Sequence, residues 1–103
     1  MDGTEHMQTA ARVTLSGEMT IYNAAQIKAT LAEAMRGAAE IEVDLSGIAD
    51  IDTAGLQLML IAKRHPECRV RFVNHSPEVL RLIDLANLGG ALGDPLFIAA
   101  NLA

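Results

Sequence analysis

The fold of this chain is constrained most strongly by three stretches in which apolar and polar residues alternate, each followed by a helical pattern. The alternating stretches are residues 11–16, 40–45 and 69–73. Alternation at a period of two is typical of a strand with one buried face. The helical patterns cover residues 24–36, 53–64 and 77–87. Strands and helices in this order, with short connections, predict an α/β fold with an open, mostly parallel sheet.

Glycines mark the predicted ends of the strands. Gly17 is expected to stop the first strand, and residues 19–22 to form a short antiparallel return. Ser46 and Gly47 are expected to stop the second strand, and residues 96–98 are a candidate final strand. The predicted architecture is therefore a mostly parallel sheet with an antiparallel strand near the N-terminus and helices mainly on one face.

Two helix starts carry capping patterns. Asn23, followed three residues later by Gln26, predicts a capping box at the first helix. Ser76, followed by Pro77, predicts a capped start with proline at the first helical position.

The length predicts a single domain over residues 1–103. No repeat or linker divides the chain, and half of its residues are hydrophobic, which argues against disorder. The polar residues 1–9 are expected to be either a flexible N-terminus or a first edge strand.

Composition excludes several classes of partner. The net charge of −5 disfavours binding to nucleic acid or to an anionic membrane surface, and 3% aromatic residues supply little for stacking on bases. No apolar run approaches the length of a membrane span or a signal peptide. Cys68, the single cysteine, fits a reducing compartment. We therefore expect a cytoplasmic protein without direct membrane insertion.

Asp50, Asp52 and Thr53 lie together at the start of the second predicted helix, beyond the sheet edge where α/β folds usually carry function. One interpretation is that Asp52 or Thr53 caps the helix. Another is phosphoryl chemistry, because the motif resembles the nucleophile motif of haloacid-dehalogenase phosphatases. That match fails where Ala54 replaces their Thr or Val, so a small phosphatase-like enzyme is a minor alternative.

Metal chemistry has little support in the sequence. His65 and Cys68 form the one local pair of possible ligands, whereas a zinc site needs three or four. We predict no metal, no cofactor and no catalytic residue.

Helical geometry groups four residues of the second helix into one stripe. At 100° per residue, Thr53, Gln57, Leu60 and Arg64 fall within about 60° of one another, with Leu56 beside them. Such a stripe could dock a partner protein, or a second helix could cover Leu56 and Leu60; the sequence leaves both open.

Five segments in order resemble the STAS domain family, which includes anti-sigma factor antagonists and cytoplasmic domains of sulfate transporters. The matching segments are residues 15–18, 43–46, 51–56, 73–79 and 85–88. Residues 51–56 carry the family's signature of Asp, a hydroxyl residue, a small residue, Gly and Leu. The resemblance implies a STAS-like α/β fold and a non-enzymatic switch module.

The family's antagonists bind a protein partner, often a kinase-type anti-sigma factor, and are released by phosphorylation of the hydroxyl after the signature Asp. Here that residue is Thr53. Sporulation-type antagonists usually have Ser-Ser where this chain has Thr53 and Ala54. The same sequence also resembles the STAS subunit of phospholipid-transport ABC systems, whose Thr surface contacts an ATPase, and stand-alone STAS proteins of chemotaxis.

Both forms of the resemblance imply one partner-binding surface around the start of the second helix. Its predicted residues are Asp50, Asp52, Thr53, Ala54, Gly55, Leu56, Gln57, Leu60 and Arg64. A phosphate on Thr53 would add about −1.5 to −2 charges beside the two carboxylates, and the cost of desolvating it would release the partner.

Overall fold

The computed structural model describes residues 11–87 and 89–93, in which strands and helices alternate as the periodicity predicts. The elements are β1 (Ala11–Met19), α1 (Ala24–Met35), β2 (Glu40–Ile51), α2 (Thr53–Lys63), β3 (Arg69–Val73), α3 (Pro77–Ala86) and the short α4 (Gly89–Leu92).

The described strands form one parallel sheet in the order β1-β2-β3. This confirms the predicted α/β class and parallel pairing. The antiparallel return predicted for residues 19–22 is wrong, because Met19 ends β1 and residues 20–23 form a turn that leads directly into α1. Residues 1–9, the other candidate for an edge strand, and the candidate strand at 96–98 lie outside the described residues.

Both glycines that were expected to stop strands lie inside them. Gly17 has φ +85°, and the β1–β2 register shifts between Thr14 and Ser16 and again between Gly17 and Glu18. A glycine with positive φ is a common way to build a β-bulge, so β1 bends at Gly17 and continues. β2 likewise continues through Gly47 to Ile51.

The extra length of β2 creates a feature that we call the ribbon, formed by residues 16–19 of β1 and 47–51 of β2. β3 pairs with β2 over residues 40–44, so among the described residues the ribbon extends beyond β3 as two paired strands. Helix α3 packs against β2, and residues of α3 line a small hollow together with Asp50 and Ile51. Within the part of the chain that the structure describes, the end of the ribbon is therefore supported by a helix.

One face of the sheet holds the core. Ile41, Val43 and Leu45 of β2 are fully buried, and the buried side chains of α1 and α2 belong to the same cluster. The buried residues of α1 recur at intervals of four: Ile27, Leu31 and Met35. This arrangement confirms that the helices pack mainly on one face.

The opposite face of the sheet carries ion pairs. Arg12, Glu42 and Arg71 are neighbours across the three strands, and Glu42 accepts hydrogen bonds from both guanidinium groups at 2.9 Å. Arg12 also contacts Asp44 at 2.8 Å, as does the amide of Asn74.

The two predicted helix caps have different outcomes. The hydroxyl of Ser76 accepts a hydrogen bond from the backbone N–H of Val79 at 3.3 Å, so this cap is confirmed. Asn23 makes no side-chain cap, because its amide oxygen instead accepts from the N–H of Thr20 at 2.8 Å. The capping box with Gln26 is therefore wrong, and Asn23 stabilises the preceding turn.

Candidate functional site

The candidate site lies where β2 ends and α2 begins, at the carboxyl edge of the parallel sheet. Asp50 is exposed near the end of β2, and Thr53 is exposed at the first position of α2. Parallel α/β sheets usually place ligands and partners at this edge, since the loops that follow the strands meet there.

Asp52 joins the start of α2 to the turn at residues 20–23. One carboxylate oxygen, Oδ1, accepts from the N–H of Gly55 at 3.1 Å, and the other, Oδ2, accepts from the N–H of Ile21 at 3.0 Å. The N–H of Asp52 donates to the carbonyl of Met19 at 3.3 Å. The capping interpretation is thus confirmed for Asp52, which also fixes the β1–α1 turn.

The same hydrogen bonds favour the ionised form of Asp52. The N–H of Ile21 contributes most to lowering the pKa of the carboxyl group, and the N–H groups at the start of α2 add to it, against the opposing effect of partial burial. A negative charge is therefore fixed immediately before Thr53.

Gly55 allows α2 to approach the end of β1 closely. A Cβ atom at this position would collide with the carbonyl oxygen of Met19 and would lie 2.9 Å from Cγ1 of Ile51. Any larger residue would push the helix away from the ribbon, so Gly55 has a packing role at this position.

The structure divides the predicted surface into accessible and inaccessible residues. Exposed members are Asp50, Thr53, Gln57 and Arg64, and half-buried members are Asp52, Ala54 and Leu60. Gly55 and Leu56 are buried in the free chain, and their role as partner contacts stays a prediction. Leu56 is only 2% exposed, because it lies on the same side of α2 as Met59 and packs into the core.

Sequence reasoning missed the two residues that lie next to this surface on the β1–α1 turn. Ile21 is 68% exposed and Tyr22 is 92% exposed. The sequence does contain an indication of them, because two adjacent large apolar residues stand immediately before a turn-forming Asn in a chain with 3% aromatic residues. The prediction of a return strand at residues 19–22 accounts for these apolar residues in another way, so it does not identify them as exposed.

Asp52→Ala is expected to loosen both segments that its carboxylate joins. Without the two acceptor oxygens, the N–H groups of Ile21 and Gly55 lose their protein partners, so their amide hydrogens should exchange faster with solvent. Hydrogen exchange followed by NMR measures both sites. Asp50→Ala is the matched control, and equal protection of Ile21 in the two variants would contradict the bridging role of Asp52.

A cavity of about 660 Å³ lies between α1 and α2, lined by side chains from the C-terminal half of each helix, including Leu31, Met35 and Leu58. It does not include the start of α2. Within residues 11–87 and 89–93, no group of three or more His, Cys, Asp or Glu side chains is placed to hold a metal ion. No helix in the same part of the chain is long and apolar enough to cross a membrane.

Comparisons with known proteins agree with this fold. A family model described as "Mlab, STAS domain" matches residues 3–97. The structure of the anti-sigma factor antagonist SpoIIAA in its unphosphorylated form is similar with a TM-score of 0.65 and 23% identity, covering 90% of this chain and 85% of that chain. A search of curated proteins finds no match.

Proposed function

Because the chain belongs to the STAS domain family, we propose that it is a protein-interaction switch that resembles the anti-sigma factor antagonists. In this proposal, a kinase or anti-sigma factor in the cytoplasm binds the start of α2, and phosphorylation of Thr53 releases it. The chain itself performs no catalysis.

The observation that carries the proposal is the position of Thr53. Its side chain is exposed at the first position of α2, directly after an ionised and hydrogen-bonded Asp52. A kinase can reach the hydroxyl without unfolding the helix, and a partner that covers the start of α2 must cover Thr53 as well.

Electrostatics explain how one phosphate could act as a switch. The helix dipole would stabilise the phosphate by about 0.3–1 kcal/mol, so the modified chain keeps its fold. The partner would meet a hydrated group with about −1.5 to −2 charges beside Asp50 and Asp52. Desolvating that group costs far more than covering a neutral hydroxyl, so the complex should dissociate.

A second candidate partner is the ATPase of a phospholipid-transport ABC complex. The Thr53–Ala54 pair, in place of Ser-Ser, favours this alternative, as does the family description that names Mlab. In such a complex the same surface would contact the ATPase permanently, and Thr53 would remain unmodified.

Thr53→Glu is expected to reduce partner capture about tenfold or more, because a charge at the centre of an interface weakens binding by at least 1.4 kcal/mol. Wild-type and variant chains are used as baits in extracts of the native cell, and the captured proteins are quantified by mass spectrometry. The matched control is Thr30→Glu, which makes the same change on an exposed site of α1.

Two outcomes of this experiment and one separate enzyme assay discriminate the alternatives. Equal capture by the wild type and Thr53→Glu would refute the switch. Capture of an ATPase and a permease, with no phosphate on Thr53 in the native protein, would favour the transporter subunit. Phosphatase activity of the purified chain that is lost in Asp50→Asn would overturn the non-enzymatic assignment.

A further inference from the structure

The turn at residues 20–23 presents two large apolar side chains to solvent although its backbone is held in place. Ile21 and Tyr22 are 68% and 92% exposed. The N–H of Ile21 is bound by Asp52, the N–H of Thr20 by Asn23, and the N–H of Tyr22 by the hydroxyl of Thr20 at 3.3 Å. Because the backbone of the turn is already ordered, binding its side chains costs less conformational entropy, which favours them as interface anchors.

This turn is continuous with the surface around Thr53. Asp52 is hydrogen-bonded to Ile21 and precedes Thr53 directly, so a partner that covers the phosphorylation site also reaches the turn. Tyrosine is among the residues that most often dominate interface energies, because its ring buries a large area at low entropic cost.

Acidic groups lie on the strands and the helix start next to the turn. Glu18 and Asp50 are exposed register partners on the two strands of the ribbon, and Asp52 is ionised. A second copy of the chain would bring the same carboxylates face to face, which disfavours self-association here. A partner with Lys or Arg around an apolar recess would complement the surface in both charge and shape.

We propose that the partner of this chain binds the Ile21–Tyr22 turn together with Thr53, receiving Tyr22 in an apolar recess bordered by basic residues. This inference rests on the proposed switch function and identifies the chemistry of the partner surface. Contacts with the turn increase the affinity for the partner, and phosphorylation of the neighbouring Thr53 hydroxyl controls whether the partner stays bound.

The test extends the capture experiment with Ile21→Ser and Tyr22→Ser. Both side chains are exposed, so the fold should be unaffected, as checked by circular dichroism. The control is Ile61→Ser, since Ile61 is also exposed but borders the cavity between α1 and α2. We expect Tyr22→Ser to reduce capture of the Thr53-sensitive protein about 10–100-fold and Ile61→Ser to leave it unchanged.

The captured protein is then identified, purified and titrated calorimetrically against each variant. Its affinity should fall as salt rises from about 50 to 500 mM, because screening weakens charge complementarity. Glu18→Gln with Asp50→Asn should slow its association and reduce this salt dependence. A binding constant that is insensitive to salt would refute the basic border of the recess.

The outcomes separate the two proposals. Capture that is lost in Thr53→Glu but retained in Tyr22→Ser would overturn the inference and leave the switch intact. Capture that Thr53→Glu does not reduce, or no capture by the wild type, would overturn both. A wild-type dimer in gel filtration that dissociates in Tyr22→Ser would show that a second copy covers the turn, and would also overturn the inference.

Discussion

Gly55→Ala is expected to lower the free energy of unfolding by about 1–3 kcal/mol, the usual cost of forcing an extra methyl group into a packed site. The new Cβ would collide with the backbone carbonyl of Met19 and press on Ile51, and a backbone atom cannot move aside as a flexible side chain can. The loss should appear although alanine is favoured over glycine in a helix by about 1 kcal/mol. Urea unfolding followed by circular dichroism measures it.

Gly90→Ala is the matched control, since a Cβ at Gly90 would meet no atom within 4 Å. It should be neutral or slightly stabilising. If Gly55→Ala were as stable as the wild type, the close approach of α2 to β1 would be refuted. Because the collision moves the start of α2, Gly55→Ala should also weaken partner binding without touching the partner.

Asp44→Asn is expected to destabilise the chain by about 2–3 kcal/mol, because the carboxylate accepts charge-assisted hydrogen bonds at both oxygens. Oδ1 accepts from the N–H and hydroxyl of Ser46 at 2.8 and 2.6 Å. Oδ2 accepts from Arg12 and Asn74, each at 2.8 Å. If the new Asn side chain kept its amide oxygen on Ser46, its NH₂ group would point at the N–H groups of Arg12 and Asn74. Donors would then face donors, and these hydrogen bonds would be lost.

The same contacts give the effect of Asp44 a definite dependence on pH. The hydrogen bonds from Ser46, with those from Asn74 and Arg12, hold the pKa of Asp44 well below its usual range in the folded chain. The stabilisation is therefore fully present above the unfolded pKa of about 3.9 and is lost as the pH falls through the folded value.

Unfolding free energies measured between about pH 7 and pH 2 should show this difference. The wild type is expected to lose stability on acidification, and the gap between it and Asp44→Asn should narrow. Glu33→Gln serves as control, because the exposed pair of Glu33 with Arg36 contributes about 0–1 kcal/mol. If the difference in unfolding free energy between the wild type and Asp44→Asn stayed constant down to pH 2, the stabilising role of the ionised Asp44 would be contradicted.

Local patterns predicted the elements of the fold well but not their ends. Periodicity placed the three strands and helices, and Ser76 was identified correctly as a cap. The sequence predicts a strand end at Gly17, because a glycine interrupts the alternating pattern equally whether it stops a strand or bends it. Only pairing with β2 distinguishes the two cases, and pairing is a long-range property.

Part of the local geometry around the candidate site could be predicted from the sequence. Asp52 as a cap and Thr53 as an exposed residue followed from the start of a helix after a strand. The burial of Leu56 could not be predicted in this way. Helix α2 is apolar on most sides, so its pattern does not indicate which side meets the core. Ile21 and Tyr22 were missed because exposure of an apolar residue depends on what packs nearby.

Among the described residues, the ribbon places the site at the end of two strands where α3, and not β3, packs against β2. If a partner at the start of α2 binds more tightly when α3 is docked, docking of α3 and binding of the partner are coupled equilibria. By thermodynamic reciprocity, undocking of α3 that lowers partner affinity by some factor requires the bound partner to stabilise α3 docking by the same factor. Occupancy of the site would then be detectable at α3 without any change in the pairing of the strands.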